Sequence, residues 1–516
     1  MSPPDSLWNR RLAWAGLGLI ALLAAAYVGR WGMAFAGGSD EAGYVHNAWL
    51  LQQGRLTEPT RPIPGVETGT FRPQVYESLG RVASPDGLTL RPYYPFGYPI
   101  VIVVANLLDG PAGDGVWLAL VGMIVAVPFL VYALGRELGL NRAWAVVAAT
   151  AMTFSPMTIF MAVRPMSDLF TMLLAVAAVL AARRAHRGWG WAAALGLLFS
   201  WAVFTRAPNT ILAVPLAVAW LARWREQRWW WVTIVAGLPT MAVVMAMNHL
   251  LFGSPWRTGY GRLDVLFSRE FVGPSLANYA ASLPVVVPPL LLAAAAVSVV
   301  GLWRAPRRYL LLWVWTLTFA GFYAFYRHTQ EVWWYLRFVL PMLPAIVIAG
   351  SLILQSWTDR LPTWARFFPI YAVLVLGLGW NALQVSERVY PYDPKKEAYV
   401  LLGPWLRAET DPDDVFLCTQ ASGSLFHQLP NPIARYEHLR PGDWEILRTA
   451  TASAGVDIYA VLWDYEVAQR RVLEDVTPGD WEFLQTLNSA RIYRLRRGSE
   501  PADQLPGADE GEGGAG

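Results

Sequence analysis

Cysteine is almost absent from this chain: Cys418 is the one thiol in 516 residues. That excludes an intrachain disulfide and any cysteine-cluster metal site. Charge is scarce too, with Asp, Glu, Lys and Arg at 15%, where a soluble domain carries about a quarter. The charges nearly cancel, to +3, and no basic block is long enough to hold nucleic acid, so that class of partner is excluded. Apolar residues fill the remainder, at 55% with 27 Trp and a mean hydropathy of +0.32. Trp collects where bilayer meets water. This is the composition of an integral membrane protein.

The N-terminus has the basic flank of a signal peptide, but its apolar run is too long for one and no cleavage site follows. It reads as a retained first span. With about 20 apolar residues per crossing, spans are expected near 12–36, 116–135, 143–162, 167–182, 189–205, 208–222, 229–251, 283–303, 309–326, 337–355 and 367–385. The expected fold class is thus a polytopic α-helical membrane protein of about eleven transmembrane helices. The connections "GRELGLNR", "RRAHRG", "ARWREQRW" and "WRAPRRY" carry most of the short-loop Arg residues. The positive-inside rule puts them, with Arg10 and Arg11, in the cytoplasm. The expected location is a bacterial-type cytoplasmic (inner) membrane.

Residues 37–115 and everything after 385 then fall outside. Residues 1–385 read as the membrane domain, with 37–115 as a first outer loop containing juxtamembrane helices. In 386–497, helical stretches alternate with short strands such as "DVFLCTQ", "VDIYAVLW" and "ARIYRL", the pattern of a small extracytoplasmic α/β domain. The Gly- and acid-rich tail, 498–516, reads as disordered.

Ionisable groups at membrane spans are costly and are functional candidates by default. Here they gather at the outer boundary. They are Asp40 and Glu41 after span one, Arg164 and Asp168 in "AVRPMSDLF", Arg206 in "FTRAPN", and His328, Glu331 and Arg337 in "YRHTQEVWWYLRF". Each has a plainer explanation. An Arg at a span end snorkels to the interface, Asp168 can cap the next helix, His328 can be a loop residue, and loop acids keep a chain wet.

The order of these features resembles the GT-C membrane glycosyltransferases, nearest the protein O-mannosyltransferases and the aminoarabinose transferases of lipid A. The resemblance lies in "GGSDEAGYVHNAWLLQQGRL" after span one, "LRPYYPFGYP" before span two, "SPMTIFMAVRPMSDLF", "LLFSWAVFTRAPNTILAVPL" and "WWYLRFVLPMLPAIVIAGS". It covers nearly the whole chain. It implies transfer of a sugar from a polyprenyl-phosphate donor to an acceptor hydroxyl on a protein, lipid or polysaccharide, at the outer face and with inversion.

By this match Asp40 is the general base, Glu41 assists it, and Asp168 is a second acid facing the site. Arg206 and Arg337, with Arg91 as a third, bind the leaving phosphate. Tyr44, His46, Arg164, Tyr94, His328 and Glu331 are candidate substrate contacts. No paired metal-ligand spacing is present, so no essential metal is expected, although His46 and His328 leave a divalent ion open. Two other classes stay in view. A flippase or transporter for a lipid-linked sugar would share the apolar bulk and the Arg–phosphate contacts. A non-catalytic scaffold would use the exported domain to bind glycans.

Overall fold

The structure is a computed structural model describing residues 10–109, 115–261, 265–389 and 397–497. The expected tail, 498–516, lies outside the described residues. The chain divides into two units: residues 1–36, 43–56 and 92–394 form one, and residues 37–42, 57–91 and 395–516 the other. Residues 57–91, expected with the membrane domain, group instead with the C-terminal segment.

The first unit is helical. In chain order its helices are α1 (Arg10–Trp31), α2 (Ser39–Gln52, whose first four residues count with the second unit), α3 (Pro99–Asp109), α4 (Gly115–Glu137), α5 (Arg142–Thr153), α6 (Pro156–Ala162), α7 (Ser167–Arg184) and α8 (Trp189–Thr205). They continue as α9 (Ala213–Leu221), α10 (Trp230–Phe252), α11 (Val272–Val286), α12 (Pro289–Arg304), α13 (Pro306–Ala324), α14 (Leu343–Thr358) and α15 (Phe367–Arg388). Among the described residues six helices are long and apolar enough to cross a membrane, or seven if the bent pair α5–α6 is one span. This is the make-up of a multi-pass membrane protein, with fewer uninterrupted spans than the eleven expected.

Three of the expected spans are interrupted by a break in the helix. The expected span 143–162 bends by 56° between α5 and α6, where Pro156 has no N–H to continue the ladder. The span 283–303 straddles a break at Val287–Pro288. The span 208–222 begins as a 3₁₀ turn, Ala207–Leu212, that leads into α9.

Close backbone approach packs the bundle. A Cβ on Gly196 of α8 would stand 2.0 Å from the Thr233 carbonyl of α10, and one on Gly350 of α14 would stand 2.2 Å from the Leu291 carbonyl of α12. Small residues let membrane helices touch in this way, because dispersion contacts replace the missing hydrophobic drive.

Polar clamps fix one end of the bundle. Glu137 binds Arg184 and Arg187, both at 2.8 Å, and Arg223 lies 2.9 Å from His186. Gln355 accepts the Asn141 N–H at 2.7 Å and donates to the Gly139 carbonyl. Three of the four Arg-rich connections therefore meet at one end.

The second unit holds two sheets. In the first, β1 (Glu58–Pro59), β2 (Arg81–Ala83) and β3 (Thr89–Pro92) take the order β1-β3-β2. The second contains β4 (Val415–Leu417), β5 (Ile433–Ala434), β6 (Ile458–Trp463), β7 (Trp481–Leu487) and β8 (Ala490–Leu495), in the order β5-β4-β6-β8-β7. Strand β4 pairs in parallel with β5 and β6, and β8 pairs antiparallel with β6 and β7.

Helices α16 (Ala398–Glu409), α17 (Ser422–Gln428), α18 (Asp443–Ser453) and α19 (Asp464–Ala468) complete the unit. Side chains alternate across a strand, so the larger sheet buries two cores. Phe416, Tyr459 and Val461 pack with Leu425 and Phe426 in one, and Leu417, Ala460 and Leu462 with Trp444 in the other. Leu90 joins the first core, while Ile63, Phe71 and Val75 join the second. Arg61 fixes the same loop by donating to the carbonyls of Phe426 (2.7 Å) and Asn431 (3.0 Å).

Candidate active site

In the first unit, two guanidinium groups and one carboxylate converge. Asp168 lies in the first turn of α7, 2% exposed. It does not cap the helix, since the cap position is Met166 and makes no side-chain bond. Its carboxylate is instead ion-paired with Arg206. Arg206 ends α8 in an extended conformation, because Pro208 lacks the N–H that another helical turn would need. Asn209 ties down the turn, donating to the Ala202 carbonyl at 2.7 Å.

Arg337, also buried, comes from the 3₁₀ segment Trp333–Met342. Both cations approach the ring of Phe338, Arg206 at 5.1 Å and Arg337 at 4.9 Å from its centroid. Both distances allow cation–π attraction. Arg337 also approaches the sulfur of Met166 at 3.4 Å. Asp168, Thr171, Arg206, Asn209, Tyr323, Arg337, Phe338 and Pro341 line a narrow recess. Two formal positive charges against one negative make its lining net cationic.

Tyr44 joins this neighbourhood through a 2.7 Å hydrogen bond with the hydroxyl of Ser167. Its ring packs on Tyr94 (4.9 Å) and edge-on to Tyr98 (5.4 Å). Asn47 donates to the Tyr94 carbonyl at 3.2 Å, holding the segment before α3 against α2.

The other expected residues lie elsewhere. His46 is buried beside Trp49. Arg164 stands over Phe160 at 4.8 Å and does not line the recess. His328 pairs with Glu331 at 2.7 Å and stacks on Tyr335. Arg91 sits half-buried on β3 in the second unit, a different unit from Arg206 and Arg337.

Asp40 and Glu41 also count with the second unit, in the first turn of α2. There an acid gains from the positive end of the helix dipole. Asp40 is half-buried and Glu41 buried. Among the described residues no three His, Cys, Asp or Glu side chains group as metal ligands.

Sequence reasoning missed Ser167, Thr171, Asn209, Tyr323 and Phe338. Of these, Asn209 stands in the "FTRAPN" turn already singled out, three residues after Arg206. Ser167 and Phe338 stand in the segments "AVRPMSDLF" and "YRHTQEVWWYLRF", while Thr171 and Tyr323 carry no local signal.

No protein-family model matches the sequence, and no curated protein matches it. Solved structures do. ArnT from Cupriavidus metallidurans in the apo state aligns over 94% of this chain and 98% of its own, at 13% identity and TM-score 0.59. The Archaeoglobus fulgidus oligosaccharyltransferase aligns over 96% and 76%, at 12% identity and TM-score 0.56. The arabinofuranosyltransferase AftD from Mycobacteria aligns over 95% of this chain and 40% of its own, at 16% identity and TM-score 0.55. The protein therefore has the GT-C fold.

Proposed function

We propose that this protein is a membrane glycosyltransferase that moves a sugar from a polyprenyl-phosphate carrier to an acceptor hydroxyl. The observation that carries the reading is the buried Asp168–Arg206 pair with Arg337 beside the same Phe338 ring. It is a preorganised cationic recess in a GT-C fold. Among the structural neighbours, ArnT has been seen bound to undecaprenyl phosphate, and the archaeal oligosaccharyltransferase AglB with an inhibitory peptide and a dolichol-phosphate.

In the step as we write it, the acceptor oxygen bonds to the anomeric carbon as the bond from that carbon to the carrier phosphate breaks. The hydroxyl proton passes to the carboxylate of Asp40, the general base that the family resemblance assigns. Polyprenyl phosphate leaves with its negative charge, which Arg206 and Arg337 stabilise through charge-assisted hydrogen bonds. Asp168 keeps Arg206 oriented, and Glu41 assists Asp40. Single displacement inverts the anomeric centre. The step balances without a metal, because guanidinium groups carry the phosphate's charge. We place it at the outer leaflet of the cytoplasmic membrane, where the Arg-poor connections are expected.

The test compares surface glycans and glycoproteins, by mass spectrometry, between a deletion strain and its parent. It is repeated with the gene restored as wild type or as Asp40→Asn. A glycan lost on deletion and restored only by wild type supports transfer. Restoration by both would refute the base assignment, and unchanged glycans throughout would refute the reaction.

A further inference from the structure

We infer that the C-terminal segment 397–497 is a positioning device for the acid pair Asp40–Glu41, acting through Gly423 and Tyr399. The inference rests on the reading of Asp40 as the base and gives the exported domain its part in that site. Four observations inside the second unit carry it.

The first turn of α2 belongs to this unit and not to the bundle that holds the rest of the helix. Glycine is required at position 423, near the start of α17, for space rather than for backbone conformation. A Cβ there would stand 2.6 Å from the Leu79 carbonyl and 3.0 Å from the Cβ of Ala42, the residue after Glu41. The neighbouring Ser422 hydroxyl accepts the Leu79 N–H at 3.0 Å, which closes the same contact from the side.

Gly38 marks the second point of support. A Cβ built on it would meet Oε2 of Glu41 at 3.0 Å and the hydroxyl of Tyr399 at 3.7 Å. Carboxylate and phenol thus face one spot. Tyr399 is itself held firmly. Its hydroxyl accepts from Gln420 at 2.8 Å, its carbonyl accepts from Gln428 at 2.9 Å, and its ring packs on Trp463.

The network continues into the sheet. The Gln420 N–H donates to Glu466. Glu466 is fully buried and accepts the Tyr436 hydroxyl at 2.6 Å and the Trp463 N–H at 2.7 Å. Buried networks of this kind are rigid when their members are satisfied. A general base profits from that rigidity, since a misplacement of about 1 Å costs on the order of 100-fold in rate.

The experiment uses the full-length protein in nanodiscs, carrying Gly423→Val or the milder Tyr399→Phe. Amide hydrogen exchange is read at residues 40–44 and, as a folding control, in β4 and β6. Both variants should speed exchange in the first turn of α2 by roughly tenfold or more while β4 and β6 stay protected. Glycan restored to the deletion strain should fall in parallel, with Tyr399→Phe the smaller loss. Unchanged exchange at 40–44 in Tyr399→Phe, with Gly423→Val either unchanged or unfolded throughout, overturns the inference whatever Asp40 does. So does faster exchange with undiminished glycan in a background where Asp40→Asn is inactive. Full activity of Asp40→Asn refutes the base assignment instead, and exchange alone then decides whether the support exists.

Discussion

The hydroxyl of Tyr44 stands 2.7 Å from the hydroxyl of Ser167 across 123 positions of sequence. The bond ties α2 to the first residue of α7, and each helix carries a candidate acid beside it. Asp168 follows Ser167 directly, and Asp40 precedes Tyr44 by four residues, about one helical turn. Residues four apart share a helix face.

Asp40→Asn keeps the side chain's size and removes its ability to take a proton. Turnover should fall by about 100- to 10,000-fold, the usual contribution of a positioned acid or base. Donor binding and thermal stability should hardly change, because Asp40 is only half-buried. Glu41 is buried, so Glu41→Gln should lower the unfolding midpoint more than Asp40→Asn does. Turnover, donor binding and thermal melts on purified variants separate these effects. Near-normal turnover in Asp40→Asn would make the pair a solvated helix start and nothing more.

Asp168 and Arg206 form a buried pair, and removing one partner strands the other charge at a cost of about 3–5 kcal/mol. Asp168→Asn should therefore destabilise the protein and also loosen donor binding, since Arg206 loses its orientation. Arg206→Lys should rescue Arg206→Ala only in part, because an ammonium cannot copy the planar fork. Binding of polyprenyl phosphate, measured by calorimetry in detergent, checks both. Wild-type affinity in Arg206→Ala and Arg337→Ala would leave both arginines as interfacial anchors.

Long, unbroken apolar runs were legible in the sequence: α1, α4, α10 and α15 fall where hydropathy puts them. Spans interrupted by Pro156, Pro208 or Pro288 were not, because a window average passes over a break of two or three residues. In the second unit, β4, β6 and β8 are dense in apolar residues and were foreseen. The two- to four-residue strands of the first loop are too short to show a period. The acids and arginines stood out as charges in apolar surroundings. That Asp168 would spend its charge on Arg206 was hidden, because the partners lie 38 residues apart and meet only once α7 and α8 have packed.

Sidedness gives the next expectation. The connections 136–142, 183–188 and 223–228 are joined by ion pairs and hydrogen bonds at one end of the bundle. They must share a side of the membrane. Phosphatase fused at residue 225 should be inactive, and fused after residue 389 active. The opposite pattern would move the reaction to the cytoplasmic leaflet.

The second unit should weaken in acid. Burial, and then the charge of Arg81, push the His427 pKa down to about 4, against about 6.5 for an unperturbed histidine. Between those values the unfolded chain binds the extra proton. The stability tied to a neutral His427 is therefore complete above about pH 6.5 and is lost as pH falls toward 4. Hydrogen exchange in β4 and β6 should accelerate from pH 7.5 to pH 5 beyond the intrinsic chemical trend, and His427→Gln should flatten that change. An undiminished change in His427→Gln would assign the titration to another group.

The fork of Arg61 on the carbonyls that end α17 has a consequence in time. A chain leaves the ribosome N-terminus first, at about 5–20 residues per second. Residues 57–91 are then made long before the partners that Arg61 grips at Phe426 and Asn431. Over the intervening synthesis the loop has a cationic side chain and three core residues, Ile63, Phe71 and Val75, with nothing yet to bury them. The first turn of α2 waits with them. On the proposed reading, the acid pair is among the earliest parts of the molecule to be synthesised and among the last to gain its packing partners, so a chain cut short before residue 397 should lack the support of its proposed base.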